Sequence, residues 1–347
     1  MSASQPLPST VLVTGGTGFV GAWCIVQLLQ RGYAVRTTVR NLSKAPAVRA
    51  AVASAIDPGE RLAFFAADLT SDEGWDAAVA GCDYVLHVAS PLGGDSPKNP
   101  DELIVPARDG TLRVLRAATR AGVKRVVMTS SLAAATPPRK TKGIVTDETI
   151  WTDLEAGEKI NAYRQSKTIS ERAAWDFMHS NPGSATTLTT ILPGAVFGPV
   201  LTTDNLGSVQ VIGRLLTGKL PGNPRLGFSI VDVRDLAELH IRAMTAPEAA
   251  GQRFIAVRDF MWMADISQEL RARLGKEAAK VPTRKLPDFV LRLAAIFDSA
   301  LHNITPLLGR KLAFSSAKAQ RVLGWAPRPG TTTVVDCAQS LIARNAV

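Results

Sequence analysis

Tyr163 and Lys167 stand four residues apart in the run Tyr163-Arg164-Gln165-Ser166-Lys167. The surrounding pattern predicts a helix over 161–178, and at this spacing both side chains leave the same helix face. A tyrosine phenol ionises near ~10 and on its own is a poor acid–base group at neutral pH. An ammonium one turn away stabilises the tyrosinate and lowers that value, which suits the phenol to move a proton to or from an oxygen. Thr129-Ser130-Ser131 closes a predicted strand over 125–129. A serine hydroxyl at such a strand end can donate to a carbonyl oxygen as negative charge develops on it. Taken alone, the first motif also reads as a surface pair and the second as a strand-end cap; each gains meaning from the other.

A third motif binds rather than reacts. The apolar strand Val11-Leu12-Val13 runs into Thr14-Gly15-Gly16-Thr17-Gly18-Phe19-Val20-Gly21. Glycines at 15, 18 and 21 at a strand-to-helix turn allow, in order, the tight turn, close approach of a pyrophosphate and close helix–strand packing. The unpaired N–H groups and positive dipole end of the helix then face the phosphates. At the end of the second strand, an NAD site usually carries an acid for the ribose 2′-hydroxyl. This strand ends Thr37-Thr38-Val39-Arg40, with Lys44 four residues on and no acid nearby. A guanidinium grips a 2′-phosphate bidentately, so NADP(H) is the expected cofactor, with solvated surface charges as the other reading of Arg40 and Lys44. Asp68-Leu69 follows the third strand, where Asp68 either meets the adenine amino group or caps the next helix.

These motifs sit on alternating elements. Short β-branched runs at 11–14, 34–39, 62–66, 84–88, 125–129 and 186–192 alternate with helical stretches at 18–31, 46–55, 73–80, 101–121 and 161–178. Continuous apolar strands between helices mean a parallel sheet covered on both faces, the Rossmann-type doubly wound α/β plan. After Pro193 the regularity breaks into a Gly- and Pro-punctuated stretch, with short elements at 228–231, 235–244, 253–257 and 265–274. The expected organisation is a flexible start over 1–9, a dinucleotide-binding domain over 10–193 and a smaller C-terminal substrate-binding lobe over 194–347. The chain has room to cross back into the first domain.

The 347 residues carry 40 Lys plus Arg against 30 Asp plus Glu, a formal charge of +10. Residues 271–347 hold 13 basic and 4 acidic side chains, so nearly all the excess lies after the binding motifs. The charges Arg271, Arg273, Lys276, Lys280, Arg284 and Lys285 read as solvated helix faces, or as a rim for a substrate with an anionic tail. Nucleic-acid binding is not expected: basic residues are not interleaved with stacking aromatics, and only 3 Tyr occur. Three scattered cysteines, Cys24, Cys82 and Cys337, suit a reducing compartment and no disulfide framework. The four histidines show no metal spacing. With no signal-peptide pattern over 1–10 and charges interrupting the most apolar stretch, 286–308, a cytoplasmic protein with no membrane partner is expected.

Together these motifs, in this order and spacing, resemble the extended short-chain dehydrogenase/reductase superfamily over nearly the whole chain. Thr38-Val39-Arg40, His87-Val88-Ala89-Ser90-Pro91, Ser166-Lys167-Thr168 and Glu171-Arg172-Ala173-Ala174-Trp175 are similar to the branch of dihydroflavonol reductases, cinnamoyl-CoA reductases and microbial aldehyde/ketone reductases. So is Val231-Asp232-Val233-Arg234-Asp235-Leu236-Ala237. The resemblance implies NADPH-dependent reduction of an aldehyde or ketone, with Tyr163 as proton donor and Lys167 lowering its pKa and holding the nicotinamide ribose. It makes Ser131, in preference to Ser130, the group that polarises the carbonyl. It places Val88, Ala89 and Ser90 at the ribose and phosphates, and Pro193, Gly194 and Val196 at the nicotinamide. An apolar pocket is expected from Leu92, Leu132, Phe197 and Leu201.

Two departures bear on the substrate. Thr136 stands where dihydroflavonol reductases carry Asn, and Asn161-Ala162-Tyr163 lacks the tryptophan found beside the tyrosine in cinnamoyl-CoA reductases. A general small-molecule carbonyl is therefore the first expectation, and a flavonoid or acyl-CoA the alternative. A different class, a nucleotide-sugar epimerase or dehydratase with bound NAD, is disfavoured by Arg40. A regulatory protein that keeps only the fold is disfavoured by the intact Tyr163 and Lys167. The assembly is expected to be a monomer or homodimer.

Overall fold

The structure, a computed structural model, describes residues 9–91, 99–141, 143–157, 160–204, 207–296 and 304–347. Seven strands form one sheet: β1 (Thr10–Val13), β2 (Ala34–Val39), β3 (Leu62–Ala66), β4 (Tyr84–His87), β5 (Arg125–Thr129), β7 (Thr187–Pro193) and β11 (Arg253–Ala256). Their order is β11-β7-β5-β4-β1-β2-β3, and every neighbouring pair is parallel. The chain turns one way from β1 to β2 and the other way to β4, so the C-terminal ends of β1 and β4 border the crevice where such sheets bind ligands.

Both faces of the sheet are covered, which is why its central strands bury successive residues without alternation. Val126 and Val127, neighbours on β5, are both fully buried, on opposite faces. On one face lie α1 (Phe19–Gln30), α2 (Ala45–Ala53), α7 (Val233–Thr245) and α10 (Ala317–Leu323), around Ile25, Val52, Leu236 and Ala319. On the other lie α3 (Trp75–Val79), α4 (Asp101–Arg120) and α5 (Ala162–His179), around Trp75, Val114 and Ala174.

A second core forms around Ile212, Ile230, Ile266, Leu270 and Val334. It is built by the small sheet β12-β10-β8 (Asp259–Trp262, Gly227–Asp232 and Ala195–Phe197) and by α6 (Gln210–Leu216), α8 (Met263–Leu274), α9 (Asp288–Ala294) and α11 (Gly330–Ala343). Two short ladders complete the fold: β6 (Val145–Thr146) beside β14 (Ala313–Phe314), and β9 (Asn223–Pro224) beside β13 (Lys285–Leu286). After Pro193 the chain serves both cores in turn, because α7, β11 and α10 return to the large sheet.

The basic segment is less regular than solvated helix faces require. Arg271 and Arg273 do lie on α8, and Arg271 donates to the carbonyls of Ala279 and Val281, each at 3.0 Å. Arg284 and Lys285 lie on no helix, because this stretch pairs with β9; Arg284 Nε donates to Pro221 O at 2.7 Å. The flexible start expected over 1–9 lies, apart from Ser9, outside the described residues.

Candidate active site

The glycine loop is pinned from two sides. Gly15 takes φ +76°, a left-handed value open to glycine, and a Cβ there would come within 3.0 Å of Ala89 Cα. Its N–H donates to Thr38 Oγ1 and that of Gly16 to Thr38 O, both at 3.1 Å. Gly18 is the N-cap of α1, with no side-chain cap and no acid in the first turn, so the helix N-terminus is left for an anion. Gly21 packs where a Cβ would lie 2.5 Å from Gly15 O, which closes the loop onto the helix. Thr17 lies half-buried in the turn; Phe19 packs against the lobe core and Val20 against the large core.

Thr14 links this loop to the next strand end. Its Oγ1 accepts from Val88 N at 3.1 Å and Ala89 N at 3.0 Å, and lies 3.0 Å from His87 Nδ1. A hydroxyl that accepts twice has its one hydrogen left for Nδ1, so the imidazole proton sits on Nε2, facing Thr111 Oγ1 at 3.4 Å. Burial, with a contribution from the Lys167 charge, lowers His87 to about 3, and it stays neutral. Val88, Ala89 and Ser90 are thereby set, half-buried, beside the glycine loop.

Arg40 leaves the end of β2 exposed, and its charge helps lower the Asp68 pKa. The main causes of that lowering are two hydrogen bonds from Thr70 to Asp68 Oδ1, at 2.8 Å from N and 2.7 Å from Oγ1. Asp68 thus ties the turn after β3, while Leu69 packs on Gly110 of α4. Lys44 is exposed on a short 3-10 turn, 42–44, capped by Asn41.

Tyr163 and Lys167 enter on α5, whose first turn is capped by Asn161 Oδ1 accepting from Arg164 N at 2.9 Å. Ser131 caps the 3-10 turn 132–135 after β5, and Tyr163 Oη donates to Ser131 Oγ at 3.4 Å. Ser130 turns the other way: its Oγ donates to the buried Glu171 Oε2 at 2.6 Å. Of the two serines, only Ser131 meets the tyrosine. Tyr163 remains 38% exposed on the cleft wall. Desolvation by the surrounding protein raises its phenol, and the Ser131 hydrogen bond pulls it back in part. This corrects the expectation of a lowered tyrosine in the protein alone. Lys167 is buried, and desolvation brings it down to about 8 against the opposing pull of Glu171. Among the described residues its ammonium donates no hydrogen bond.

The cleft's apolar side differs from expectation. Phe197 has no accessible surface and packs edge-on to Phe228, with ring centroids 6.1 Å apart, inside the lobe core. It therefore cannot line a pocket. Leu201 is buried in the core beneath α1 and α7, and Leu132 packs with Leu192 and Ile255. Thr136 is buried and spends its hydroxyl on Leu132 O at 2.7 Å. Leu92 lies outside the described residues. Pro193 ends β7, and a side chain on Gly194 would collide with Ser229 O of β10; Val196 on β8 stays half-buried. A cavity of about 560 Å³, lined by Trp151, Trp175, His179 and Arg253, lies along the second half of α5 and begins at Arg172, nine residues or about 14 Å of helix beyond Tyr163.

The site thus brings together a helix N-terminus with no side-chain cap and no acid in its first turn, the exposed Arg40 at the β2 end, the buried Lys167 and the Tyr163–Ser131 pair. A model described as the NAD dependent epimerase/dehydratase family matches residues 11–257, a span that holds all of these. The chain is 36% identical over 300 residues to an anthocyanidin reductase ((2S)-flavan-3-ol-forming) of Vitis vinifera, covering 82% of this chain and 86% of that protein. It is 38% identical over 262 residues to cinnamoyl-CoA reductase CAD2 of Medicago truncatula, covering 74% and 78%. The structure of yeast methylglyoxal/isovaleraldehyde reductase Gre2, complexed with NADPH, matches with a TM-score of 0.80 at 26% identity, covering 97% of this chain and all of that one. The chain is a member of the NAD dependent epimerase/dehydratase family, within the extended short-chain dehydrogenase/reductases that its motifs resemble.

Proposed function

We propose that the protein is an NADP-dependent oxidoreductase that reduces an aldehyde or ketone to an alcohol. The observation that carries this reading is the Tyr163–Ser131 pair, with Tyr163 on the same helix face as the buried Lys167, whose ammonium has no hydrogen-bond partner among the described residues. The α1 N-terminus would hold the pyrophosphate, Arg40 and Lys44 the 2′-phosphate, and Lys167 the nicotinamide ribose hydroxyls. The related reductases, and the NADPH in the yeast structure, support this choice of cofactor.

When bound, the cofactor supplies a hydride to the carbonyl carbon. Ser131 donates to the carbonyl oxygen, and the C–O π electrons move onto that oxygen as the bond to hydrogen forms. Tyr163 Oη then gives it a proton, and a solvent proton later restores the phenol. A raised tyrosine pKa keeps Tyr163 protonated at neutral pH, as a donor requires. The Lys167 charge lowers the cost of the tyrosinate as it forms, so its contribution falls on the transition state rather than on the resting phenol.

The substrate class is a small carbonyl compound in the first place, and a flavonoid or acyl-CoA in the second. The plant relatives favour the second; Thr136, turned into its own loop, offers no hydroxyl to such a ligand. The test is NADPH oxidation with a panel that includes isovaleraldehyde, methylglyoxal, a flavanonol and a cinnamoyl-CoA. Turnover of a carbonyl compound with NADPH is expected. A protein that purifies with stoichiometric NAD and oxidises NADPH with none of the panel would overturn the reading in favour of an epimerase or dehydratase. Three buried, free cysteines accord with a reducing cytoplasm.

A further inference from the structure

Glu171 continues the row Tyr163, Lys167 along one face of α5 and has no accessible surface. Its carboxylate gathers groups from four elements. Oε2 accepts from Ser130 Oγ, after β5, at 2.6 Å. Oε1 accepts from Thr190 Oγ1 of β7 at 2.7 Å, Arg253 Nε of β11 at 2.9 Å and, on its own helix, Trp175 Nε1 at 3.4 Å. Arg253 is held in turn by the carbonyls of Glu148, at 2.6 Å, and Ile150, at 3.0 Å, and stacks over the Trp151 ring at 3.7 Å.

A buried ion pair is a poor source of stability, since apolar residues of similar volume often serve as well. This one directs its shortest bond to the residue next to Ser131, and its charge lies one turn from Lys167. We propose that Glu171 is a positioning residue for the reduction: through Ser130 it fixes the strand end that aims Ser131 at Tyr163, with its carboxylate one turn along the same helix face from Lys167. The proposal rests on the roles given above to Tyr163, Ser131 and Lys167. The ionisable groups around Lys167 are Tyr163 and Glu171 on its own helix and the neutral His87 from β4, with Arg253 of β11 beyond Glu171. Among these, Glu171 supplies the negative charge that favours the ammonium.

The test compares wild type, Tyr163→Phe, Glu171→Gln and Ser130→Ala, with the best carbonyl compound of the panel as substrate. It measures kcat and KM across pH, NADPH affinity by fluorescence, and thermal unfolding. Glu171→Gln should lower kcat by about ten-fold with NADPH affinity within about two-fold, and should move the alkaline limb of kcat down by about half a pH unit. The direction follows from the charge: without the carboxylate, Lys167 loses its proton at lower pH. Ser130→Ala keeps the charge and should lower kcat several-fold with the limb unmoved. A Glu171→Gln enzyme with wild-type kcat and limb, beside an inactive Tyr163→Phe, overturns the positioning role. An active Tyr163→Phe overturns instead the reading on which it rests. If Glu171→Gln fails to fold, because Arg253 is left buried and unpaired, wild-type kcat in Ser130→Ala overturns the proposal.

Discussion

The proposed choice of cofactor rests on Arg40. Arg40 stands exposed at the end of β2, with the Asp68 carboxylate near enough to feel its charge. A hydrogen bond to a charged group contributes roughly 1.5–3 kcal/mol, which is about 10- to 100-fold in affinity. Arg40→Ala should therefore weaken NADPH by that factor and leave NADH nearly unchanged; equal losses for both in a binding titration would contradict the 2′-phosphate assignment. The types and spacing of Tyr163, Lys167 and Arg40 were enough to single them out in the sequence. The separate directions of Ser130 and Ser131 were not, because neighbouring serines differ only in what lies across from each. Glu171 stands across from one and Tyr163 from the other. For the same reason Phe197 and Leu201 read as pocket residues: an apolar side chain is compatible with a core or a cleft, and only packing distinguishes them.

Elements place these residues through a few polar ties between strand ends. Thr14 joins β1 to β4 by accepting two N–H groups and donating to His87. Thr14→Val keeps the shape and removes all three bonds. It should cost about 1–3 kcal/mol of stability and weaken NADPH as the 88–90 turn loses its tether; denaturant midpoints and NADPH titration check this, and unchanged values of both would contradict it. The strands of the large sheet were legible because burial on both faces makes them continuous apolar runs. The short β8 and β12 were not: three or four residues show no period. Nor was α11, which opens on Gly330-Thr331-Thr332-Thr333, residues of low helix propensity, and is held by packing on the lobe core. Likewise nothing local announces that β11 closes the edge of the first sheet.

For the whole molecule, burial decides how stability follows pH. Desolvation depresses His87 to about 3 and His240 to about 4; His240 Nδ1–H donates to Leu236 O at 2.8 Å, and Nε2 accepts from Thr129 Oγ1 at 2.7 Å. Both ionise near ~6.5 when unfolded. Each contributes stability that is fully present above pH ~6.5 and lost as pH falls towards the folded values, because the unfolded chain binds the proton first. The melting temperature should therefore drop between pH 6.5 and 4, above the range in which carboxylates such as Asp68 and Asp83 begin to matter. His240→Gln should flatten the drop in part, and a melting temperature constant across that interval would contradict the account. Within the charged stretch 271–347, Arg271 and Arg284 tie turns and a short ladder of the second core, and Arg328 pairs with Asp235 of α7. The most direct test is single-turnover reduction by the Tyr163→Phe variant with NADPH bound. A loss of about 10²- to 10⁴-fold with NADPH affinity unchanged is predicted, and a rate near wild type would contradict the claim that Tyr163 delivers the proton.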